Sequence, residues 1–322
     1  MPRSSLLAIA LLAAAPLAAS SARADAGEAA SIEPGSGGAS IIGGTAVPAG
    51  KWPDAVAVLG ATGACTGTLI APDVVLTAGH CAGINPTRVI ANTLDYGAPG
   101  GTSAAVQSTT PYPDWENSYD VSVIVLAKPI TGVAPRKLGT ACTFQGFAAS
   151  TSVHLVGFGS TDVRGGGDNS KLNEATAPVT DPQCSGGNGC APAIAPGGEF
   201  VVGGNGKDTC FGDSGGPVYL DTPRGAVVIG AVSRGLDGTT NPCGDGGIYV
   251  RTDKIAAWIE TTAGRAIEKD TCEGAPRGAD GGDEVDVTGG CSTGGASGAA
   301  PVGLALALGL AARRRRRAPP QS

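Results

Sequence analysis

The sequence predicts an all-β fold that ends in a single α-helix. Glycine is abundant, with 53 of 322 residues, and aromatic residues make up only 4%, a composition that suits short strands and tight turns better than a helical bundle. Gly, Pro, Asn and Asp separate seven apolar runs of strand length, as in a barrel or sandwich. These runs are AVAVL (Ala55–Leu59), TGTLI, VVLTA, VSVIVLA, SVHLVGF, AVVIGAVS and GIYVRT.

Helical periodicity occurs after the last of these runs, over Asp253–Ala263. Ile255, Trp258 and Ile259 would share one apolar face of this helix. Thr252 or Asp253 is expected to cap its N-terminus, and Gly264 is expected to end it.

The first 24 residues have the features of a signal peptide. Arg3 precedes an apolar run over residues 6–19, and Ala22-Arg23-Ala24 fits an A-x-A cleavage site. A short buried helix is the alternative interpretation. Export would place the nine cysteines where disulfides persist. Residues 25–40 then form a small, polar, Gly-rich segment that is unable to pack.

The C-terminal region differs from the strand-rich region. The composition of residues 264–290 predicts an acidic, Gly-rich linker. An apolar run over residues 299–312 then precedes five arginines, Arg313–Arg317. A helix of that run would be about 21 Å long against a bilayer core of roughly 30 Å, which is short for a stable span. The arginines would keep its end on the cytoplasmic side, and a plain basic tail is the alternative.

The charge argues against a nucleic-acid partner. The net charge is −6, and five of the positive charges are confined to the terminal arginine run. The rest of the chain is therefore more acidic still, the opposite of a nucleic-acid-binding surface.

Ser214 lies in a motif that raises three hypotheses. The segment GDSGG, residues 212–216, matches the G-x-S-x-G elbow of α/β-hydrolases, which place a catalytic histidine after the serine. The two histidines, His80 and His154, both precede Ser214, so this hypothesis fails. A subtilisin-like order could use Asp54 or Asp73, but it needs a parallel α/β sheet whose helices are missing.

The remaining order is histidine, aspartate, serine. It requires an acid between His80 and Ser214 at the edge of the core. Asp120 directly precedes an apolar strand in YDVSVIVL, whereas Asp114 lies among turn residues and is the weaker candidate. Asp120 is therefore the predicted partner of His80.

At this point the chain resembles the trypsin/chymotrypsin-like serine proteases. IIGGTAV from Ile41 resembles the mature amino terminus, LTAGHC the histidine motif, YDVSVIVL the aspartate motif and CFGDSGGP the serine motif. GIYVRT and the last helix extend the resemblance over residues 41–263. The family's fold is two six-stranded antiparallel β-barrels with the active site between them, so we expect that fold, a secreted endopeptidase and protein or peptide substrates.

The resemblance implies a catalytic role for each motif. Ser214 would attack the peptide, His80 would act as base and then acid, and Asp120 would orient the imidazole. The backbone N–H groups of Gly212 and Ser214 would form the oxyanion hole.

Activation by cleavage is a further implication, with residues 25–40 as the propeptide. The new amino group of Ile41 would pair with Asp213 and switch on the oxyanion hole. Ser40 stands where many relatives have Arg or Lys, so a separate activating protease is expected.

The specificity pocket is also implied by resemblance. Asp208, six residues before Ser214, would lie at its bottom and favour Arg or Lys in the substrate. Ser233, Gly235 and Gly247 match positions that line it. Arg234 departs from the tryptophan usual in relatives, and its guanidinium could compete for Asp208.

The family's disulfides predict two bridges, Cys65–Cys81 and Cys210–Cys243. Cys184 and Cys190 could close a short loop, and Cys142 and Cys272 could form another bridge, but the pairing of these four stays open. No metal and no cofactor is predicted.

The odd cysteine, Cys291, belongs with the tail. GGCS, the apolar run and RRRRR resemble the tripartite sorting tail (MYXO-CTERM type) of myxobacterial cell-surface proteins. This implies retention at the cell envelope by sorting machinery, with Cys291 as the processing or anchoring point. The competing class for the whole chain is a binding protein with a protease fold and no catalysis.

Overall fold

The computed structural model describes residues 41–167 and 169–272. The predicted signal peptide, propeptide and C-terminal tail, including Cys291, lie outside the described residues. Within them the chain forms β-strands, one α-helix and a short 3-10 helix over His80–Ile84. The strands are β1 (Thr45–Ala46), β2 (Ala55–Gly60), β3 (Ala64–Ala71), β4 (Val74–Thr77), β5 (Pro86–Ala91), β6 (Thr102–Pro111), β7 (Ser122–Leu126), β8 (Ser152–Gly157), β9 (Asn173–Asp181), β10 (Glu199–Val202), β11 (Pro217–Thr222), β12 (Gly225–Gly235) and β13 (Gly247–Arg251), and the helix is α1 (Thr252–Ala263).

The first barrel is closed by six antiparallel strands in the order β2-β3-β4-β7-β6-β5. Its interior is filled by β-branched and leucine side chains such as Val56, Leu69, Val75 and Ile124, all fully buried. These residues have high strand propensity, and closure removes the free sheet edges.

The second barrel contains β8-β9-β10-β13-β12-β11, and the pairing of β8 with β9 closes it. The short strand β1 is attached to β9 at the edge, with Thr45 opposite Glu174. Phe200, Val218, Ile229 and Tyr249 are among its fully buried core residues. The prediction of two six-stranded antiparallel barrels followed by one helix is therefore confirmed.

The C-terminal helix α1 packs through Ile255 and Ile259, which are fully buried, and ends at Gly264 in the left-handed conformation. The expected side-chain cap is wrong. Arg251 occupies the N-cap position without a capping bond, and the Thr252 hydroxyl donates instead to the carbonyl oxygen of Val228 at 3.1 Å. Thr252 is fully buried, and its hydroxyl bonds to β12 instead of capping the helix.

The packed structure continues past the predicted domain boundary at Ala263. The N–H of Leu138 donates to the carbonyl oxygen of Glu268, and the N–H of Asp270 donates to Leu138 in return. A disulfide joins Cys142 to Cys272 in the same region. The described part of the region predicted as linker is thus attached to the segment that connects the two barrels, between β7 and β8.

One of the other three disulfides among the described residues links β3 to the 3-10 helix, and the remaining two link loop residues. The three bridges join Cys65 to Cys81, Cys184 to Cys190, and Cys210 to Cys243.

A buried polar cluster joins the two barrels. Asp54, just before β2, accepts a hydrogen bond of 2.7 Å from the Tyr219 hydroxyl on β11 and two from the guanidinium of Arg136. The rings of Trp52 and Tyr219 stack at 4.3 Å, and the guanidinium lies against both. Asp54 is fully buried, so its charge depends on these partners.

Among residues 41–167 and 169–272, no helix combines the length and apolarity needed to cross a membrane.

Candidate active site

Strand pairing in the first barrel brings His80 and Asp120 together. Thr77 at the end of β4 lies opposite Ser122 at the start of β7, so the residues just beyond these strands meet at one end of the barrel. The backbone N–H of His80 donates to Asp120 Oδ1 at 2.9 Å, and His80 Nδ1 lies 2.9 Å from Asp120 Oδ2. Two contacts fix both the position and the tilt of the imidazole ring.

The carboxylate of Asp120 accepts a third hydrogen bond, from the other barrel. The Ser233 hydroxyl, on β12, donates to Asp120 Oδ2 at 2.7 Å. Burial disfavours the charged form of Asp120, but the hydrogen bonds and charge of His80 and the Ser233 bond outweigh it and hold the Asp120 pKa below its usual value. Asp120 is therefore ionised at neutral pH. The sequence indicated Ser233 only as a pocket residue and gave no signal for this bond.

Ser214 lies on a turn that enters β11, and its glycine neighbours make close approaches. Gly212 and Gly215 adopt φ values of 98° and 78°, which other residues rarely take. A Cβ at Gly215 would lie 2.1 Å from Thr77 Oγ1 and 2.4 Å from the Ala78 nitrogen. Only glycine at position 215 therefore allows the turn that carries Ser214 to lie against the end of β4, close to the 3-10 helix that begins at His80.

The backbone around Ser214 carries two donors. The N–H groups of Gly212 and Ser214 have no hydrogen-bond acceptor among the described residues, whereas those of Asp213, Gly215 and Gly216 bond to backbone carbonyls. Both are the groups that the resemblance assigns to an oxyanion hole. They are available to an external acceptor.

One cavity of about 360 Å³ contains His80 and Ser214. Ser233, Arg234 and Gly235 form part of its wall, together with Thr209 and the Cys210–Cys243 disulfide. Phe211, which the sequence did not single out, also lines it and is 61% exposed. The cavity therefore places His80 and Ser214 beside a pocket that could receive a substrate side chain.

Asp208 lies behind this cavity and does not line it. It is 1% exposed, and its carboxylate accepts hydrogen bonds from the N–H groups of Thr209, Gly244 and Gly246, at 2.8–3.1 Å. A Cβ at Gly247 would approach Asp208 Oδ1 to 3.1 Å. Burial raises the pKa of Asp208 to about 6 despite these bonds.

Arg234 is paired with groups other than Asp208. Its guanidinium forms a forked pair with Glu199 on β10, at 2.8 and 3.0 Å, and donates to the carbonyl oxygen of Gly189. Arg234 also borders a second cavity of about 620 Å³, next to Trp115 and Asp237. The competition for Asp208 considered from the sequence does not occur in this structure.

Ile41 and Asp213, the two residues predicted to pair on activation, are both buried. Ile41 packs in the core of the second barrel, and the carbonyl oxygen of Ile42 accepts a bond from the N–H of Asp208. Asp213 is fully buried, and its carboxylate accepts hydrogen bonds from Gly159 and Cys210. Burial raises the pKa of Asp213 to about 7, so this carboxylate needs a cation to stay charged.

The sulfur atoms of Cys65 and Cys81 lie near His80, but they are joined in a disulfide. Disulfide sulfurs are not thiolates, so this group does not supply the ligands of a zinc site.

The two barrels and the histidine–aspartate pair beside a serine turn define a chymotrypsin-type architecture, and the comparisons agree. A sequence model of the trypsin family matches residues 41–259. A trypsin from Saccharopolyspora erythraea is 34% identical over 196 residues, covering 58% of this chain and 81% of that protein. Serine protease 56 of Mus musculus and of Homo sapiens is 29% and 30% identical over 72% and 68% of this chain, which spans 40% and 38% of those proteins.

The chain therefore belongs to the trypsin family of serine proteases. It is a serine endopeptidase, and its substrates are proteins or peptides.

Proposed function

We propose that the chain hydrolyses peptide bonds with a triad of Ser214, His80 and Asp120. The observation that carries the proposal is the double hydrogen bond that joins buried Asp120 to His80, together with the cavity that His80 and Ser214 both line. His80 takes the Ser214 proton as the hydroxyl attacks the carbonyl carbon, and then donates it to the leaving amine. Asp120 stays ionised and stabilises the imidazolium.

The tetrahedral oxyanion is held by the N–H groups of Gly212 and Ser214. The lack of an acceptor for either group among residues 41–167 and 169–272 supports this role. Water then hydrolyses the acyl-enzyme through the same base.

The pocket beside Ser214 is proposed to prefer Arg or Lys. Asp208 adjoins Thr209 on the pocket wall and supplies negative charge from behind it. A substrate cation in a desolvated pocket favours such a counter-charge.

The chain is proposed to be a zymogen activated by cleavage between Ser40 and Ile41. Asp213 is buried and has no cationic partner in the described part of the chain, which supports this, because the Ile41 ammonium would supply one. Since Ser40 is not basic, a different protease performs the cut.

Export and envelope retention are proposed from residues 1–24 and 291–322 alone. Fractionation of cells that express wild type and Cys291→Ala tests this: the variant is expected to leave the envelope fraction, and an unchanged distribution contradicts it.

The catalytic proposal is tested by labelling with a fluorophosphonate probe before and after removal of residues 25–40. Wild type cut before Ile41 should label and hydrolyse peptides, whereas Ser214→Ala should do neither while unfolding at the same temperature. Absence of Ser214-dependent labelling in folded, cut protein would instead favour a catalytically silent binding protein.

A further inference from the structure

A continuous chain of hydrogen bonds runs from the triad into the second barrel. His80 bonds to Asp120, and Asp120 accepts from Ser233. Arg234 Nη1 then donates to Ser233 Oγ at 2.8 Å, and the same nitrogen donates to Glu199. The chain therefore ends at a buried carboxylate on β10.

The chemistry of these groups gives the chain a direction. Guanidinium only donates hydrogen bonds, and an ionised carboxylate only accepts them. The Ser233 hydroxyl has one proton, and Arg234 already occupies one of its acceptor positions. Its proton is therefore directed to Asp120 at all times, and the adjacent positive charge strengthens that bond.

Glu199 explains why Arg234 adopts this position. Its side chain is 1% exposed, compared with 34% for Arg234, and its second oxygen also accepts from the N–H of Ala191. A buried carboxylate needs a cation, so it holds the guanidinium. The carbonyl oxygen of Gly189, in the loop closed by the Cys184–Cys190 disulfide, accepts hydrogen bonds from Nε and Nη2 of the same guanidinium.

We infer that the Arg234–Glu199 pair is a positioning element of the active site, which acts on Asp120 through the hydroxyl of Ser233. This inference rests on the proposed triad. Arg234 contacts neither His80 nor Asp120 directly in any described hydrogen bond, so its effect passes through Ser233. When the Arg234–Glu199 pair is present, the Ser233 hydroxyl always donates to Asp120. The carboxylate is therefore fixed, and the His80 imidazole that bonds to it keeps one orientation.

The main variant removes the pair without leaving a buried charge. Arg234→Met combined with Glu199→Met replaces both partners with apolar side chains of similar length, a change that folded proteins often tolerate. We expect kcat to fall about tenfold with KM changed by less than about twofold. The reason is that Asp120 would orient the His80 imidazole less precisely, which affects the chemical step rather than substrate binding. A wall residue without a positioning role would change KM instead.

The single variant Glu199→Gln and the double variant should shift the pH profile in opposite directions. Glu199→Gln leaves the guanidinium charge unbalanced next to Ser233, which should shift the low-pH limb of the kcat/KM profile downward. Loss of the guanidinium in the double variant should shift that limb upward, by roughly half a pH unit. Arg234→Lys keeps a charged donor without the fork, so it should recover part of kcat.

A matched control lies in the same barrel. Arg251 also forms a forked pair, with Asp253, at 2.9 and 3.0 Å, and no described hydrogen bond joins this pair to Asp120. Arg251→Met and Asp253→Asn should leave kcat and the pH limb unchanged. Glu116 and Asp237, which border the second cavity, are present in every variant and cancel from the comparison.

A second readout needs no activity. The chain has only two histidines, so proton NMR can follow the His80 ring during a pH titration, with His154→Gln used for assignment. The titration is made in a Ser214→Ala background, on the chain cut before Ile41. The double variant should move the His80 midpoint upward and Glu199→Gln should move it downward.

The outcomes separate the two proposals. Wild type that shows no Ser214-dependent hydrolysis refutes the proposed function, while the NMR titration still decides the role of Arg234. A folded double variant with wild-type kcat and an unmoved His80 titration overturns the positioning inference and leaves the triad intact.

Discussion

The carboxylate of Asp213 accepts a 2.7 Å hydrogen bond from the backbone N–H of Gly159 in a fully buried site. A second bond comes from the N–H of Cys210. Burial raises the pKa of this acid to about 7, compared with 3.8 for a free aspartate. The site therefore holds a proton where an exposed aspartate would not.

The first prediction concerns the pH dependence of stability before and after processing. In the unprocessed chain, the folded form binds a proton at Asp213 that the unfolded form releases above about pH 4. The contribution of Asp213 to stability is therefore complete below the unfolded pKa and is lost as the pH rises towards 7, at a cost on the order of 4 kcal/mol. Asp208, with its pKa raised to about 6, adds a loss of the same sign.

Cleavage before Ile41 should remove the Asp213 part of this loss, because the new ammonium stabilises the charged carboxylate. We expect the cut chain to gain stability relative to the uncut chain between pH 5 and 8, and to gain activity at the same time. Urea denaturation of both forms in a Ser214→Ala background measures the first effect. Parallel stability curves, or equal activity of cut and uncut wild type, contradict zymogen activation through Asp213.

The second prediction concerns Gly159. A Cβ on this residue would lie 2.3 Å from Asp213 Cγ, although its φ is ordinary. Gly159→Ala should therefore displace the Asp213 carboxylate and destabilise the chain by about 1–3 kcal/mol, as overpacking does. Gly63→Ala is the control, since its Cβ would meet only Ile84 Cγ2 at 3.7 Å.

Thermal unfolding and peptide hydrolysis measure both glycine variants. Gly159→Ala is expected to lose stability and activity together, and Gly63→Ala neither. If Gly159→Ala matches wild type in both, the glycine is not required to accommodate Asp213.

The strands that could be predicted from the sequence are those with continuous apolar runs. The seven runs lie in β2, β3, β4, β7, β8, β12 and β13. The buried residues of β9 (NEATAPVTD) are one Asn, two Ala and one Val, and β6 (TSAAVQSTTP) has a single buried residue, an Ala, so the apolar signal of both strands is weak. The prediction that the strands close into two barrels rested on the family resemblance of the four ordered motifs and not on periodicity.

For the site, the sequence indicated residue types and order but not the contacts between barrels. The bond from Ser233 to Asp120 joins residues 113 positions apart, and no local pattern encodes it. The Arg234–Glu199 pair left one signal: Glu199 begins the buried strand EFVV, and a buried charge requires a partner. The position of Asp208 behind the wall depends on how Gly244 and Gly246 fold over it.

The third prediction concerns the cluster that joins the barrels. Arg136→Met leaves the buried Asp54 with the Tyr219 hydroxyl but without its cation, which should cost about 3–5 kcal/mol of stability. Arg265→Met is the control, because Arg265 pairs with Asp73 near the surface, where an ion pair contributes about 0–1 kcal/mol. Chemical denaturation of both variants distinguishes them, and equal losses would show that Asp54 finds another partner.

The last prediction concerns specificity. If the charge of Asp208 reaches the pocket through the wall at Thr209, the cut enzyme should cleave after Arg or Lys, and Asp208→Ser should shift cleavage towards apolar residues. A substrate cation left without a counter-charge in the pocket costs about 3–5 kcal/mol, so the preference should change by at least a hundredfold. Asp181→Ser is the matched control, because Asp181 also accepts three backbone N–H bonds, from Gln183, Ser185 and Gly186.

The pH dependence gives the same test an independent arm. Because the pKa of Asp208 is raised to about 6, the ratio of kcat/KM for an Arg substrate to that for a Leu substrate should rise as pH increases through 6. Taking a ratio removes the shared titration of the triad. A peptide-library profile of the cut wild type without enrichment of Arg or Lys, together with a ratio that is flat with pH, would show that the backbone bonds of Asp208 are structural. The pocket would then be an uncharged one closed by Thr209. The assignment of Ser214, His80 and Asp120 would be unaffected, because no hydrogen bond among the described residues joins them to Asp208.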